Sequence, residues 1–203
     1  MKNKIIILNG VSSCGKTSIL RKFQEISKDC YYGLRMDRIN DILPKKYLAY
    51  DDYKTLTEEN KKGFYFDREE GIFKLGKYGK DMSKDFWRIT KSLAEVGRNI
   101  IIDIVMFGLD SLKDIIKILD LNKYDVYIVR VNCEIEELRK RENNRGDRPV
   151  GSAEKQISSI DTKYNDLVLD STNKNPEELV EELMEFVKNN KPRMLLKLME
   201  EGK

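Results

Sequence analysis

The chain has 203 residues, of which 40% are hydrophobic and 36% are charged, with a formal net charge of +3. This length suffices for one sizeable hydrophobic core. The weak net charge does not favour nucleic acid as a partner, because nucleic-acid-binding domains usually present a strongly basic face. No apolar run is long enough to cross a bilayer, and three widely spaced cysteines favour reduced thiols in a cytoplasmic protein.

Short apolar runs alternate with segments of helical periodicity along the chain. This alternation predicts an α/β fold with a parallel sheet that helices cover on both faces. The predicted strands span residues 5–8, 31–36, 100–104, 126–131 and 167–169. A helix is predicted to begin at Asn175-Pro176, with Asn175 as its N-cap and Glu178 reaching back to the cap. We expect one domain over residues 1–190 and a C-terminal tail over 191–203, where Leu195 and Leu198 could serve packing or self-association.

The first predicted strand leads into a match to the phosphate-loop pattern G-x-x-x-x-G-K-[ST], formed by Gly10, Val11, Ser12, Ser13, Cys14, Gly15, Lys16 and Thr17. Glycines let the backbone wrap closely, so that successive N–H groups can point at phosphate oxygens. The helix that begins near Lys16 adds the positive end of its dipole. We expect Lys16 to reach the β- and γ-phosphates of ATP and the Thr17 hydroxyl to ligate Mg²⁺.

Cys14 lies inside this loop, close to a helix N-terminus, where thiol pKa values tend to fall. One hypothesis is therefore that oxidation of Cys14 blocks ATP binding.

Two carboxylates follow predicted strands at the sheet edge where ligands of open α/β sheets bind. Asp37 ends the second strand, and it could accept the proton of an attacking hydroxyl or cap a helix over residues 38–43. Because the chain has no histidine, no imidazole competes for the role of base. Asp103 ends the third strand and is similar to the carboxylate that holds Mg²⁺, often through water.

Residues 44–82 interrupt the alternation and are charged, glycine-punctuated and rich in Tyr and Phe. Segments 63–67 and 71–74 could pair as a hairpin around residues 68–70. Such an insertion is either a surface excursion or a wall of the acceptor site, and the sequence leaves both interpretations open.

Residues 133–152 form the third candidate element, a lid. Acidic residues lead its helix and basic residues end it, which complements the helix dipole and accounts for Arg139 and Lys140 as solvated charges. Arg141 and Arg145, followed past a glycine by Arg148, favour a mobile lid instead. Its guanidinium groups would neutralise charge during phosphoryl transfer.

Together these residues resemble the chloramphenicol phosphotransferase family, a branch of the P-loop kinases similar in build to nucleoside monophosphate kinases. The likeness covers residues 4 to about 190, and its most specific pieces are the phosphate loop and Arg145-Gly146-Asp147-Arg148. It implies a five-stranded parallel sheet, a small helical lid, ATP and Mg²⁺, and Asp37 as the base. It also implies that Arg145 and Arg148 lie over the phosphates and that Thr172 lies near adenine. Residues 45–62 match the family poorly, and acceptor specificity is expected to be set there.

The sequence therefore predicts an ATP-dependent kinase that transfers the γ-phosphate to a small-molecule hydroxyl, as chloramphenicol 3-O-phosphotransferases do. A kinase for a nucleotide, nucleoside or other metabolite is the first alternative. A P-loop ATPase or regulatory module without a dedicated acceptor is the second. The identity of the acceptor and the oligomeric state stay open.

Overall fold

The computed structural model describes residues 2–49, 56–67, 72–145, 151–160 and 163–202. Its strands are β1 (Asn3–Asn9), β2 (Tyr31–Arg35), β3 (Leu48–Ala49), β4 (Phe64–Asp67), β5 (Ile72–Leu75), β6 (Asn99–Ile104), β7 (Tyr124–Asn132) and β8 (Leu167–Asp170). Its α-helices are α1 (Lys16–Ile26), α2 (Met36–Ile39), α3 (Lys77–Glu95), α4 (Gly108–Ile118), α5 (Ile135–Arg145), α6 (Ser152–Ile157), α7 (Pro176–Asn189) and α8 (Met194–Glu201).

Five strands pair in parallel in the order β2-β6-β1-β7-β8, which confirms the predicted parallel α/β sheet. The central strand β1 carries four consecutive fully buried residues, Ile5 to Leu8, because helices cover both faces of the sheet. Full burial of each of these side chains stabilises the fold by about 1.5–3 kcal/mol relative to exposure. The strand β2 is one residue shorter than predicted, because Met36 already begins α2.

Two hydrophobic layers flank this sheet. On one face, Ile6 and Leu8 of β1 pack with apolar residues of α1 and α7. On the other face, Ile5 and Ile7 pack with residues of α3, α4 and α8. Alternate side chains of β1 therefore enter opposite layers, as strand geometry requires. The central strand is thus fixed from both sides, and so is the start of the loop that follows it.

The C-terminal helices show how local sequence signals are realised. Asn175 accepts hydrogen bonds from the backbone N–H groups of Glu177 and Glu178, and Glu178 accepts one from the Asn175 N–H. This is the predicted capping box at the start of α7. Further on, Leu195 and Leu198 of α8 are buried in the layer beside α4, so the apolar stripe of the tail packs within the chain.

A small second sheet has the order β3-β4-β5, with β4 and β5 antiparallel. This pairing is the hairpin expected within residues 63–74, although its turn, residues 68–71, lies outside the described residues. The hairpin stands beside the carboxyl edge of the main sheet, where Phe64, Phe73 and Leu75 line a large cavity. Within the described part of the chain, no helix is both long and apolar enough to cross a membrane.

Candidate active site

A cavity of about 740 Å³ opens at the carboxyl ends of the parallel strands. The phosphate loop, the small sheet and α2 all contribute residues to its lining. Its lining includes the predicted site residues Lys16, Thr17, Asp37 and Asp103, together with Ser12, Ser13 and Arg141. Sequence elements far apart in the chain therefore meet at a single place, which is the edge at which open α/β sheets bind ligands.

The backbone of the phosphate loop depends on two glycines. A Cβ at Gly10 would lie 2.5 Å from the Val131 carbonyl oxygen, a contact that only glycine avoids. Gly15, which caps α1, has φ of +96°, in the left-handed region that glycine adopts without steric cost. Ser13 also has a positive φ, +62°, and its buried Oγ has no hydrogen-bond partner among the described residues. These features fit a backbone cradle for phosphate oxygens.

Lys16 lies inside this cradle, with 6% of its side chain exposed. Its Nζ donates hydrogen bonds to the carbonyl oxygens of Gly10 and Val11, both at 2.8 Å. The ammonium group also lies 3.9 Å from Asp103 Oδ1. The loop thus holds a positive charge at the point where the anionic phosphates would bind.

Thr17 and Asp103 are in direct contact, because Thr17 Oγ1 donates a hydrogen bond to Asp103 Oδ2. Asp103 lies in register with Leu8 on the neighbouring strand β1, which brings its carboxylate beside the loop. A hydroxyl and a carboxylate are oxygen ligands of the kind that Mg²⁺ prefers, together with water and phosphate oxygens. The residues present therefore fit a magnesium ion between the loop and β6.

Asp37 lies in the first turn of α2, so the prediction that it ends the second strand is wrong. Residues 36–39 already have helical geometry, which also excludes an N-cap role for Asp37 before residue 38. Its carboxylate is half exposed and faces the cavity, where it is ion-paired with Arg35, with Arg35 Nη2 2.7 Å from Asp37 Oδ2. The carboxylate therefore lines the same cavity as the phosphate loop and is joined to Asp103 through Arg35.

Sequence reasoning missed Arg35, which lies between the two candidate carboxylates. Its Nε lies 3.8 Å from Asp103 Oδ2, is buried and finds no hydrogen-bond partner in the part of the chain that the structure describes. Arg35 and Asp103 are register neighbours on β2 and β6. That pairing is the signal that could have found this arginine, but strand order was needed to use it.

The structure describes only some of the predicted lid residues. Arg145 is the last residue of α5, and Arg148 lies outside the described residues, so their contacts with phosphate stay predictions. Arg141 lines the cavity, where its Nη2 donates to the Ser171 carbonyl oxygen at 2.7 Å and its Nε to Glu137 at 2.9 Å. Arg141 is therefore anchored at the turn after β8 rather than free on a lid.

Thr172 is not among the described residues that line the large cavity. Its hydroxyl donates to Asp170 Oδ1 at 2.6 Å and accepts from the Glu134 N–H at 3.0 Å. The structure thus ties Thr172 into the connection between β7, β8 and α5. The predicted proximity of Thr172 to adenine stays a prediction.

Cys14 is fully buried, and this burial raises the pKa of its thiol. The positive charge of Lys16 acts in the opposite direction but is the weaker influence. The expectation that the helix N-terminus lowers this pKa is therefore wrong, because desolvation of a thiolate outweighs the favourable electrostatics. The oxidation hypothesis loses its physical basis.

Family comparison agrees with the site. A family model described as chloramphenicol phosphotransferase-like protein matches residues 3–188. The chain belongs to the chloramphenicol phosphotransferase-like family. This membership confirms the resemblance inferred from the phosphate loop and the lid motif, and with it the prediction of a phosphotransferase.

One relative of this chain is a Mycobacterium tuberculosis protein that is provisionally named an O-phosphotransferase. It is 28% identical over 193 residues, which cover 91% of this chain and 82% of the relative.

Among solved structures, a sugar kinase from Janibacter sp. has a TM-score of 0.64 and 15% identity, and the match covers 93% of this chain and 95% of the sugar kinase. The Mycobacterium tuberculosis APS kinase CysC, solved with AMPPNP and APS, has a TM-score of 0.62 and 14% identity, covering 93% and 99%. These structures share the P-loop kinase fold with this chain.

Proposed function

We propose that this protein is an ATP-dependent kinase that transfers the γ-phosphoryl group to a hydroxyl of a small molecule. One observation carries the proposal: a single cavity is lined by the phosphate-loop residues Lys16 and Thr17 and by the carboxylate of Asp37. Phosphoryl transfer needs a held donor, an aligned acceptor and charge stabilisation rather than covalent participation by the protein. This cavity supplies residues for each need within one catalytic domain, which we assign to residues 1–190.

At the donor end, the loop amides and Lys16 would bind the β- and γ-phosphates of ATP. Thr17 and Asp103 would hold Mg²⁺, which when bound offsets charge on the phosphate oxygens. Lys16 already turns its ammonium into the loop, so it would need little rearrangement to meet a phosphate. The same residues would keep the γ-phosphorus directed at the open part of the cavity.

The cavity wall is mixed, with apolar and aromatic side chains beside charged ones such as Arg38 and Asp41. Its lining includes Phe64, Phe73, Leu75, Trp87 and Phe107. Such a wall favours a compact acceptor with an aromatic or aliphatic body and a hydroxyl directed at Asp37. Chloramphenicol, the acceptor in the family name, has an aromatic ring and hydroxyl groups, so it is the first compound to test.

In the proposed reaction, the acceptor oxygen forms a bond to the γ-phosphorus while the bond from that phosphorus to the bridging oxygen of ADP breaks. Asp37 accepts the proton that the acceptor hydroxyl loses, and the electron pair of the broken bond leaves with ADP. Lys16 stabilises the negative charge that develops on the phosphate oxygens. Arg145 and Arg148 are proposed to add guanidinium groups when the lid closes.

The proposal is tested by coupled measurement of ADP release with chloramphenicol and with a panel of hydroxylated metabolites and nucleosides. We expect ADP release to rise with one class of acceptor, and Lys16→Ala to abolish most of it. Lys22→Ala, on the same helix but at the surface, is the matched control and should behave as wild type. ATP hydrolysis that no acceptor stimulates would contradict the kinase proposal and favour a regulatory ATPase.

Turnover of chloramphenicol would in addition support a role in antibiotic resistance. We place the reaction in the cytoplasm, where ATP is abundant and the three cysteines would stay reduced.

A further inference from the structure

The phosphate loop is fastened to the arm formed by α5 and α6 through buried side chains that the proposed reaction does not use. The first connection is a hydrogen bond of 2.9 Å from the Ser12 backbone N–H to Gln156 Oε1. Both residues are buried, with 3% and 2% exposure. Because Gln156 already accepts the hydrogen bond of this amide, the loop amides that follow Ser12 would be the ones left for a bound phosphate.

The start of α6, the helix that carries Gln156, is capped by a second buried group, Glu142 of α5, which is 1% exposed. Its carboxylate accepts hydrogen bonds from the Gly151 N–H at 2.7 Å, the Ser152 hydroxyl at 2.9 Å and the Ala153 N–H at 2.8 Å. A buried carboxylate is tolerated only when donors compensate its lost hydration. The helix α6 has six residues, too few to be stable alone, so its position depends on this cap.

A separate connection runs from the preceding residue of α5 to the other side of the loop. Arg141 donates to the carbonyl oxygen and hydroxyl of Ser171, and the Ser171 hydroxyl donates to the Cys14 carbonyl oxygen at 2.8 Å. Adjacent residues of a helix point in different directions. Arg141 and Glu142 can therefore reach the loop by two routes, at Cys14 and at Ser12.

We propose that Gln156 is a positioning residue that sets the shape of the phosphate loop and couples it to the α5–α6 arm. Glu142 acts through Gln156, by fixing α6 on α5. Binding of a triphosphate to the loop and the placement of the arm that carries Arg145 then depend on each other. The inference relies on the proposed function only in that the loop binds a nucleotide, and it does not depend on the acceptor.

Native-state hydrogen exchange at the Ser12 amide, with affinity for a non-hydrolysable ATP analogue, tests this coupling. Gln156→Ala should speed Ser12 exchange at least about fivefold, because the amide loses its buried acceptor, and should weaken analogue binding. Gln156→Glu keeps an acceptor oxygen, so Ser12 should stay protected while the added negative charge weakens analogue binding. Lys155→Ala, exposed on the same helix, is the matched control and should change neither quantity.

Glu142→Gln tests the longer route, since it leaves both Ser12 and Gln156 unaltered. An amide at position 142 turns an NH₂ group towards one of the three donors, so α6 should loosen and Ser12 exchange should rise selectively. Wild-type Ser12 exchange and analogue affinity in Gln156→Ala would overturn the proposal. A Glu142→Gln protein in which hydrogen exchange rises uniformly along the chain would also overturn the proposal. If the wild-type protein fails to bind the analogue, the proposed function is wrong, while Ser12 exchange still tests the role of Gln156.

Discussion

Arg35 holds Asp37 by a charge-assisted hydrogen bond, with Nη2 2.7 Å from Asp37 Oδ2. The same guanidinium lies near Asp103, on the other side of which Lys16 approaches. Positive and negative groups therefore alternate from Lys16 of the phosphate loop through Asp103 and Arg35 to Asp37. This order keeps two carboxylates close to a triphosphate site without direct repulsion between them, and it fixes the orientation of the proposed base.

Replacement of Arg35 tests whether this orientation matters. Arg35→Gln should lower kcat by up to about fivefold, because Asp37 loses a charge-assisted hydrogen bond, and an ion pair this exposed contributes only about 0.2–1 kcal/mol. The KM for ATP should change little. Arg35→Lys should recover part of the loss, since an ammonium keeps the charge but not the paired geometry. Steady-state kinetics on both variants measure the effect, and a loss confined to ATP affinity would mean that Arg35 binds the nucleotide instead.

Replacement of Asp37 tests the proposed base. Asp37→Asn removes the proton acceptor with little change in shape, so kcat should fall by about 10²–10⁴-fold while ATP affinity stays close to wild type. Asp41→Asn removes another carboxylate from the lining of the same cavity and should leave kcat close to wild type. Equal losses in the two variants would indicate a general effect of cavity charge, and full activity in Asp37→Asn would show that the base is wrongly assigned.

Thiol reactivity should distinguish Cys30 from Cys14. Cys30 is exposed, whereas Cys14 is fully buried and burial raises the pKa of its thiol. Alkylation of the folded protein near neutral pH should therefore modify Cys30 quickly and Cys14 only after unfolding. Mass spectrometry of timed samples identifies the labelled peptides, with Cys30→Ser as the control that removes the fast reaction. Rapid modification of Cys14 in the folded protein would contradict its burial.

Alkaline pH should destabilise the fold through Tyr31 and Tyr127. Burial raises the pKa of each phenol from 10.0 to about 12. Between pH 10 and 12 the unfolded chain releases these protons while the folded chain retains them. The contribution of these two phenols to the free energy of unfolding is therefore complete below pH 10. It falls as the pH rises from 10 to 12, by up to about 1.4 kcal/mol per pH unit for each group.

Urea unfolding at a series of pH values measures this slope. Tyr31→Phe removes one titrating group and should make the slope shallower. Tyr32→Phe, at the exposed neighbouring position, should leave it unchanged. A slope that is the same in wild type and Tyr31→Phe would rule out Tyr31 as its source.

Local pattern was enough to predict the framework of the molecule. The unbroken apolar run of β1 indicated a strand covered on both faces, and the glycine spacing that follows it indicated the phosphate loop. The capping box at Asn175 could likewise be predicted, because all of its members lie within four residues. Each of these features depends on neighbours in sequence, which is why periodicity and spacing reveal it.

The contacts that shape the site were beyond such reasoning. The bond between Ser12 and Gln156 joins residues 144 positions apart, and nothing in a short polar helix such as α6 signals a buried amide. The position of Arg35 beside Asp103 follows only from the pairing of β2 with β6, which the sequence does not reveal. For Cys14, the sequence indicated the helix N-terminus but not the depth of burial, and burial decided the direction of the pKa shift.

The fate of the γ-phosphoryl group tests the central claim most directly. ATP labelled at the γ-position is incubated with the protein, Mg²⁺ and the acceptor that most stimulates ADP release, and the products are separated and identified by mass spectrometry. The account predicts that the label is recovered on an acceptor hydroxyl with wild-type protein and that this product is largely lost with Asp37→Asn. Recovery of all the label as inorganic phosphate, at the same rate with and without acceptor, would contradict it.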